Sequence, residues 1–191
     1  MKIDTATIAR LRDALIQSGR RQAAVISSAY ETLTRQGLLS EEEQAAVARI
    51  EPMVETMFMV MAADGRISAG EMDAIRGAVR GLTEGLLQEG TIKVMLEGCE
   101  KRLEQEGRAA RLDALTSQLR EDREDAEGAF ALAAAIAMAD HEVASEENTL
   151  ILDLGERLGI GTGRAEAILE QLEEERSDEG APDTDRNPST T

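Results

Sequence analysis

The stretch AADGRISAGE, residues 62–71, decides how the chain is organised, because a related stretch occurs 76 residues later. The second copy is MADHEVASEE, residues 138–147. Asp64 aligns with Asp140, and Glu71 aligns with Glu147. Each copy follows an apolar segment and precedes an amphipathic segment with helical spacing. The repeat therefore predicts two related helix–turn–helix halves, each of which carries an acidic turn.

Part of this pattern is explained by the boundaries of helices. Ser68 and Glu71 have the spacing of a capping box, in which each side chain accepts a hydrogen bond from the other residue's backbone N–H. Gly65 suits the left-handed position that ends a helix. The second copy has His141 at that place, and Ser145 is its predicted N-cap. In this interpretation the turns only end one helix and start the next.

The carboxylates favour a second interpretation, which is a metal site. Asp64 and Glu71 have the spacing of the fifth and twelfth positions of a calcium loop. The first and third positions are apolar in both copies, so a complete EF-hand is excluded. If the halves pack around a pseudo-twofold axis, the two turns could form one carboxylate cluster, which would need a divalent cation, protons or basic side chains. The predicted ligands are Asp64, Glu71, Asp140 and Glu147, with Asp73, Glu142 and Glu146 as candidates to assist.

At these residues the sequence resembles the TerB-like (tellurite-resistance) family. The family motif Ala-Asp-Gly-x-Ile-x-x-x-Glu matches residues 63–71, and the segment Leu158–Ile160 resembles the end of the family's second half. The resemblance covers about residues 40–172. The second turn matches as a variant through Ala139, Asp140, Val143 and Glu147, while His141 departs from the glycine of the pattern.

The resemblance implies an all-helical protein with an acidic surface and a divalent-metal site built from the turn carboxylates. Calcium, magnesium, manganese and zinc are all candidates for the ion. The resemblance also implies a role in bacterial stress responses, including tellurite resistance, and no established enzymatic reaction. A related module in J-domain co-chaperones acts by binding partners. The alternative function is therefore a non-enzymatic adaptor with an acidic surface and no metal.

The composition predicts an all-α fold with an aliphatic core. Aromatic residues make up 2% of the 191 residues, and there are three prolines. We expect a single domain of about seven to nine helices. The predicted organisation is an N-terminal helical extension at residues 1–39, a TerB-like domain at residues 40–172 and a disordered acidic tail at residues 173–191.

The net charge of −17 disfavours nucleic acids and anionic membrane surfaces as partners. It favours cations or other proteins with basic surfaces. The sequence shows no apolar signal segment and no membrane-length run, which indicates a cytoplasmic protein. His141 is the single histidine and no phosphate-binding loop is present, so an enzyme is not expected. The sequence leaves the oligomeric state open.

Three further predictions concern the core. Residues 126–139 are apolar nearly all round, which is typical of a central buried helix, and residues 53–63 should lie beside them. Pro52 predicts either a kink or the start of a new helix. Cys99 lies within an apolar stripe, which indicates a buried and unreactive thiol rather than a nucleophile.

Overall fold

The computed structural model describes residues 39–65, 67–139 and 145–179, and these residues form α-helices without any strand. The all-α prediction is therefore confirmed for this part of the chain. The predicted N-terminal extension lies almost entirely outside the described residues. The helices are α1 (Glu41–Met61), α2 (Ala69–Leu82), α3 (Glu89–Glu106), α4 (Arg108–Leu119), α5 (Arg123–Ala139), α6 (Ser145–Arg157) and α7 (Thr162–Glu179), and a 3₁₀ turn at Ala62–Asp64 follows α1.

The repeat includes one more pair of helices than the sequence pattern predicts. Helices α2 and α6 begin at Ala69 and Ser145, which are 76 residues apart. Approximately the same offset relates α1 to α5 and α3 to α7, so the described part of each half contains three related helices. Helix α4 lies between the halves, and the described residues contain no helix that matches it at this offset. Equivalent pairs of buried residues are Ile75 and Ile151, Leu82 and Leu158, Ile92 and Ile168, and Leu96 and Leu172.

Helices α1 and α5 form the centre of the molecule and make the most extensive helix–helix contact. This confirms the predicted position of residues 126–139 beside residues 53–63. Ala129, Ala133 and Ala134 are fully buried on α5, where their small side chains allow other helices to approach closely. Met53, Met57 and other aliphatic residues of α1 fill the space around them. Burying each such large side chain contributes about 1.5–3 kcal/mol.

Helix α1 continues through Pro52 from Glu41 to Met61, so the prediction that a new helix could start at Pro52 is wrong. Proline removes one helical hydrogen bond at a cost of about 3 kcal/mol. The apolar residues on both sides of Pro52 are buried, and this burial offsets the loss. Thr56 is also fully buried, and its hydroxyl donates a 2.7 Å hydrogen bond to the Pro52 carbonyl.

Helix α7 continues to Glu179, seven residues past the boundary predicted at residue 172. The added residues 173–179 include four glutamates and one arginine, which have high helix propensity. Residues 180–191 lie outside the described part of the chain, so the predicted disordered tail stays a prediction there. No described helix combines the length and the apolar character that are needed to cross a membrane.

Candidate metal site

The first acidic turn is closed by backbone hydrogen bonds. Gly65 adopts a left-handed conformation with φ of 80°, as predicted for the end of a helix. Its N–H donates a 3.1 Å hydrogen bond to the Ala62 carbonyl. Ala62 and Ala63 are buried, which fixes the turn against the core. The backbone of Asp64 therefore lies within a closed turn, while its side chain lies outside the described part of the structure.

Glu71 forms the predicted capping box at the start of α2. Its Oε2 accepts a 2.5 Å hydrogen bond from the Ser68 N–H, and Ser68 Oγ accepts one of 3.2 Å from the Glu71 N–H. Ser40 and Glu43 form the same box at the start of α1, where no acidic turn precedes it. Capping therefore explains the position of Glu71 without a metal. The capping hydrogen bond uses Oε2, which is one of the two oxygens of the Glu71 carboxylate.

The second acidic turn lies outside the described residues, because residues 140–144 are not described. The side chains of residues 145–147 are not described either. The positions of the Asp140 and Glu147 carboxylates therefore remain predictions. The structure does place α6, the helix that carries Glu147, in contact with the 3₁₀ turn Ala62–Asp64.

Of the four predicted ligands, Glu71 has a described side chain and the other three do not. The described side chains alone form no group of three or more His, Cys, Asp or Glu residues that could hold a metal ion. A shared site would have to be completed by Asp64, Asp140 and Glu147. The convergence of all four residues is accordingly a prediction.

Arg108, the first residue of α4, reaches the first acidic turn from a distance of 46 residues in sequence. Its Nη2 donates a 2.5 Å hydrogen bond to the Ala62 carbonyl. Its Nε is buried and has no hydrogen-bond partner. No local pattern in the sequence connects Arg108 to the turn, so the sequence alone does not predict this contact.

A group of charged residues that we call the ion junction lies between α1, α3 and α4. Arg102 Nη1 is 3.0 Å from Glu51 Oε1, and Arg102 Nη2 is 2.7 Å from Glu55 Oε2. Arg111 Nε is 2.7 Å from Glu55 Oε1, and its Nη1 is 3.1 Å from Glu106 Oε2. The chain of charges alternates in sign, so each buried carboxylate has an arginine partner.

Burial has a direct effect on ionisation at this junction. Burial raises the pKa of Glu51 above its usual value, although Arg102 opposes the shift. Burial also raises the pKa of the Cys99 thiol, which is 1% exposed. This confirms that Cys99 is buried, and a raised pKa disfavours the thiolate that nucleophilic chemistry requires.

The sequence contains a signal for the ion junction, which is the presence of two glutamates in an apolar helix. Glu55 lies in the run MVETMFMVM, residues 53–61, where its neighbours on both sides are apolar. Glu51 lies one helical turn before it. Ionised carboxylates inside a buried helix require cationic partners. Arg102 and Arg111 provide them here.

The all-helical fold, the duplicated turn and the central helix pair agree with one known family. The family model described as tellurite resistance protein TerB matches residues 51–171, which is more than half of the chain. The chain belongs to the TerB family. The TerB match begins in the middle of α1 and continues into α7, so it spans both halves of the repeat. No curated protein and no solved structure matches the chain.

Proposed function

We propose that this TerB domain binds one divalent cation between its two acidic turns. The observation that carries the proposal is the contact between α6 and the turn Ala62–Asp64. Asp64 belongs to this turn, and Glu147 belongs to the first turn of α6. Residues that are 83 positions apart in sequence are thus carried by backbone segments in contact.

The donor set has the chemistry of a hard-cation site. Asp64, Glu71, Asp140 and Glu147 offer carboxylate oxygens, which are the ligands that calcium and magnesium prefer. Manganese also prefers oxygen donors, whereas structural zinc sites usually contain cysteine or histidine. Bringing four carboxylates together without a cation is unfavourable because they repel one another. Cation binding should therefore stabilise the folded domain.

Isothermal titration of the full chain with calcium, magnesium, manganese and zinc tests the proposal. We expect saturable binding of at least one of the oxygen-preferring ions. Asp64→Asn and Asp140→Asn should each lower the affinity by at least about tenfold, because each removes an anionic ligand from the same site. Asp113→Asn is the control for the loss of one negative charge, since Asp113 lies on α4 and pairs with Arg157.

Two results would contradict the cation proposal. One is the absence of binding by any ion at millimolar concentration together with a thermal midpoint that EDTA does not change. The other is binding that Asp113→Asn weakens as much as Asp64→Asn does, because this would indicate a diffuse charge effect rather than a site.

A second candidate function is an adaptor that binds basic proteins without a metal. The supporting observation is the charge balance, with 38 acidic residues against 21 lysines and arginines. Several of the arginines are already paired with carboxylates inside the protein, including Arg102 and Arg111. Binding of a lysine-rich peptide in EDTA, lost in high salt, would support this function. No binding to such a peptide would contradict it.

Either function would operate in a stress response of the type that gives the TerB family its description. Both are binding functions, and we propose no catalytic reaction for this chain. The two candidates differ in their response to EDTA. EDTA removes the proposed ion and should lower the stability of the domain in the first case, and it should have no effect in the second.

A further inference from the structure

Helix α4 lies between the two halves of the repeat, and its first residue contacts the first acidic turn. Arg108 Nη2 donates a 2.5 Å hydrogen bond to the carbonyl of Ala62. The same carbonyl accepts the Gly65 N–H at 3.1 Å. Two donors thus meet at the backbone oxygen that lies two residues before Asp64.

The position of Arg108 has a clear physical reason. The C-terminal end of a helix has unpaired carbonyl groups and a partial negative charge, which a nearby cation stabilises. The last turn of α1 contains no basic residue, so Arg108 supplies the cation from another helix. Hydrogen bonds from a charged donor are short and strong. The bond therefore fixes the end of α1 to the start of α4.

We propose that Arg108 is a positioning residue of the first acidic turn. It holds the Ala62 carbonyl, and with it the backbone that carries Asp64, in the place that cation binding requires. The inference rests on the proposed cation site, and Arg108 itself does not ligate the ion. Its charge acts against a nearby cation, so any gain in affinity must come through the geometry of the turn.

The charge of Arg108 and its positioning of the turn should change cation affinity in opposite directions, so the direction of the change distinguishes them. If Arg108 acted through charge alone, its removal would strengthen cation binding because one repulsive charge would be lost. If it positions the turn, its removal should weaken binding. Arg108→Met removes both the charge and the hydrogen bond, while Arg108→Lys keeps the charge and a donor.

The first readout is hydrogen exchange of the Gly65 amide in EDTA, which does not depend on any bound ion. Arg108→Met should speed this exchange by at least about fivefold, because the turn that Gly65 closes becomes freer to open. Arg108→Lys should restore most of the protection. Arg164→Met is the matched control, since Arg164 lies on α7 and pairs with Glu127 on α5 rather than with this turn.

The second readout is calcium or manganese affinity measured by titration calorimetry. Arg108→Met should weaken binding by about three- to tenfold, and Arg108→Lys should recover most of it. Unchanged or stronger binding by Arg108→Met would overturn the proposal, as would unchanged exchange at Gly65. If the wild-type protein binds no cation, the cation site fails, and the exchange of Gly65 alone then decides whether Arg108 holds the turn.

Discussion

Glu51 in the first half and Glu127 in the second half occupy equivalent positions, 76 residues apart, but their surroundings differ. Glu51 belongs to the buried ion junction, where the side chains of Glu51 and Arg102 are 8% and 15% exposed. Glu127 pairs with Arg164 and Arg123, which are 49% and 82% exposed. The first half therefore encloses the charge at this position, and the second half leaves the equivalent ion pairs in contact with water.

The two sets of surroundings shift the pKa values of Glu51 and Glu127 in opposite directions. Burial raises the pKa of Glu51, whereas hydrogen bonding to Arg164 lowers the pKa of Glu127. Both carboxylates have arginine partners, so the partner alone does not decide the direction. Removal of water from Glu51 is the larger effect there, and at Glu127 water remains available.

The largest expected effect is at Glu55, the centre of the buried ion junction. Glu55→Gln should lower the free energy of unfolding by about 3 kcal/mol, because it leaves Arg102 and Arg111 without their shared anion. Glu127→Gln should lower it by less than about 1 kcal/mol, since its partners are largely exposed. Urea denaturation measures both values, and equal losses would remove the distinction between the two halves.

The next effect concerns packing at another equivalent pair of positions. Phe130 lies against Gly155, where an added Cβ would meet the phenyl ring at 3.2 Å. The equivalent residues of the first half are Val54 and Val79, both fully buried. Gly155→Val should therefore cost about 1–3 kcal/mol through overpacking, and Phe130→Val about 2–3 kcal/mol through a cavity.

Combining the two changes sharpens the comparison of the halves. The double variant reproduces the valine pair of the first half, and the larger residue at position 155 replaces part of the lost ring volume. Its destabilisation should be smaller than the sum of the single effects by at least about 1 kcal/mol. If the two losses of stability simply add in thermal or urea denaturation, the side chain added by Gly155→Val does not fill the space left by Phe130→Val.

A smaller effect is expected at the glycine of the first turn. Gly65 has a φ of 80°, so Gly65→Ala should lower the free energy of unfolding by about 1 kcal/mol. Gly70→Ala is the control inside α2, where the new Cβ would make an ordinary 3.8 Å contact with Ser68 Oγ. That change should stabilise the protein by about 0.5 kcal/mol.

The equivalent position in the second turn is His141, which lies outside the described residues. If the second turn has the backbone of the first, His141→Gly should raise stability by about 0.5–1 kcal/mol, because glycine relieves the left-handed conformation. Differential scanning calorimetry measures the change. A loss of stability would show that the two turns differ in geometry.

The smallest expected effect is the opposite dependence on pH of the two glutamates. The pKa of Glu127 is lower in the folded state, so its contribution is present above the unfolded-state pKa and is lost on acidification through the folded-state pKa. The pKa of Glu51 is higher in the folded state, so its contribution is present below the unfolded-state pKa and declines as pH rises through the folded-state pKa.

Urea midpoints measured from about pH 3 to pH 7 test these signs. The stability of the wild-type protein relative to Glu127→Gln should fall on acidification, by less than about 1 kcal/mol in total. Relative to Glu51→Gln, the wild-type stability should rise on acidification. The same slope for both variants would contradict the contrast between the buried carboxylate of Glu51 and the partly buried carboxylate of Glu127, whose arginine partners are exposed.

The sequence predicted the features that depend on local patterns. The apolar spacing of Ile75 and Leu82 matched that of Ile151 and Leu158, so two helices of each half could be paired. The capping box followed from the spacing of three positions between Ser68 and Glu71. The third helix of each half was missed because Met95 on α3 corresponds to the polar Gln171 on α7, which weakens the similarity.

The features that the sequence did not predict depend on contacts between distant residues. Glu55 and Arg111 are 56 positions apart, and Ala62 and Arg108 are 46 positions apart. Neither spacing produces a local pattern, because helix packing brings these residues together. Charged residues are also usually exposed, so Glu51 and Glu55 suggest a solvated face unless the burial of the whole helix is known.

Native mass spectrometry of the full chain loaded with manganese tests the central claim most directly, because it counts the ions bound to each molecule. If the two acidic turns share one cation, the wild-type protein should carry one specifically bound ion. Asp64→Asn and Asp140→Asn should each then carry none. Two ions per wild-type chain, with one retained in each single variant, would show that the turns bind separately and would contradict the shared site.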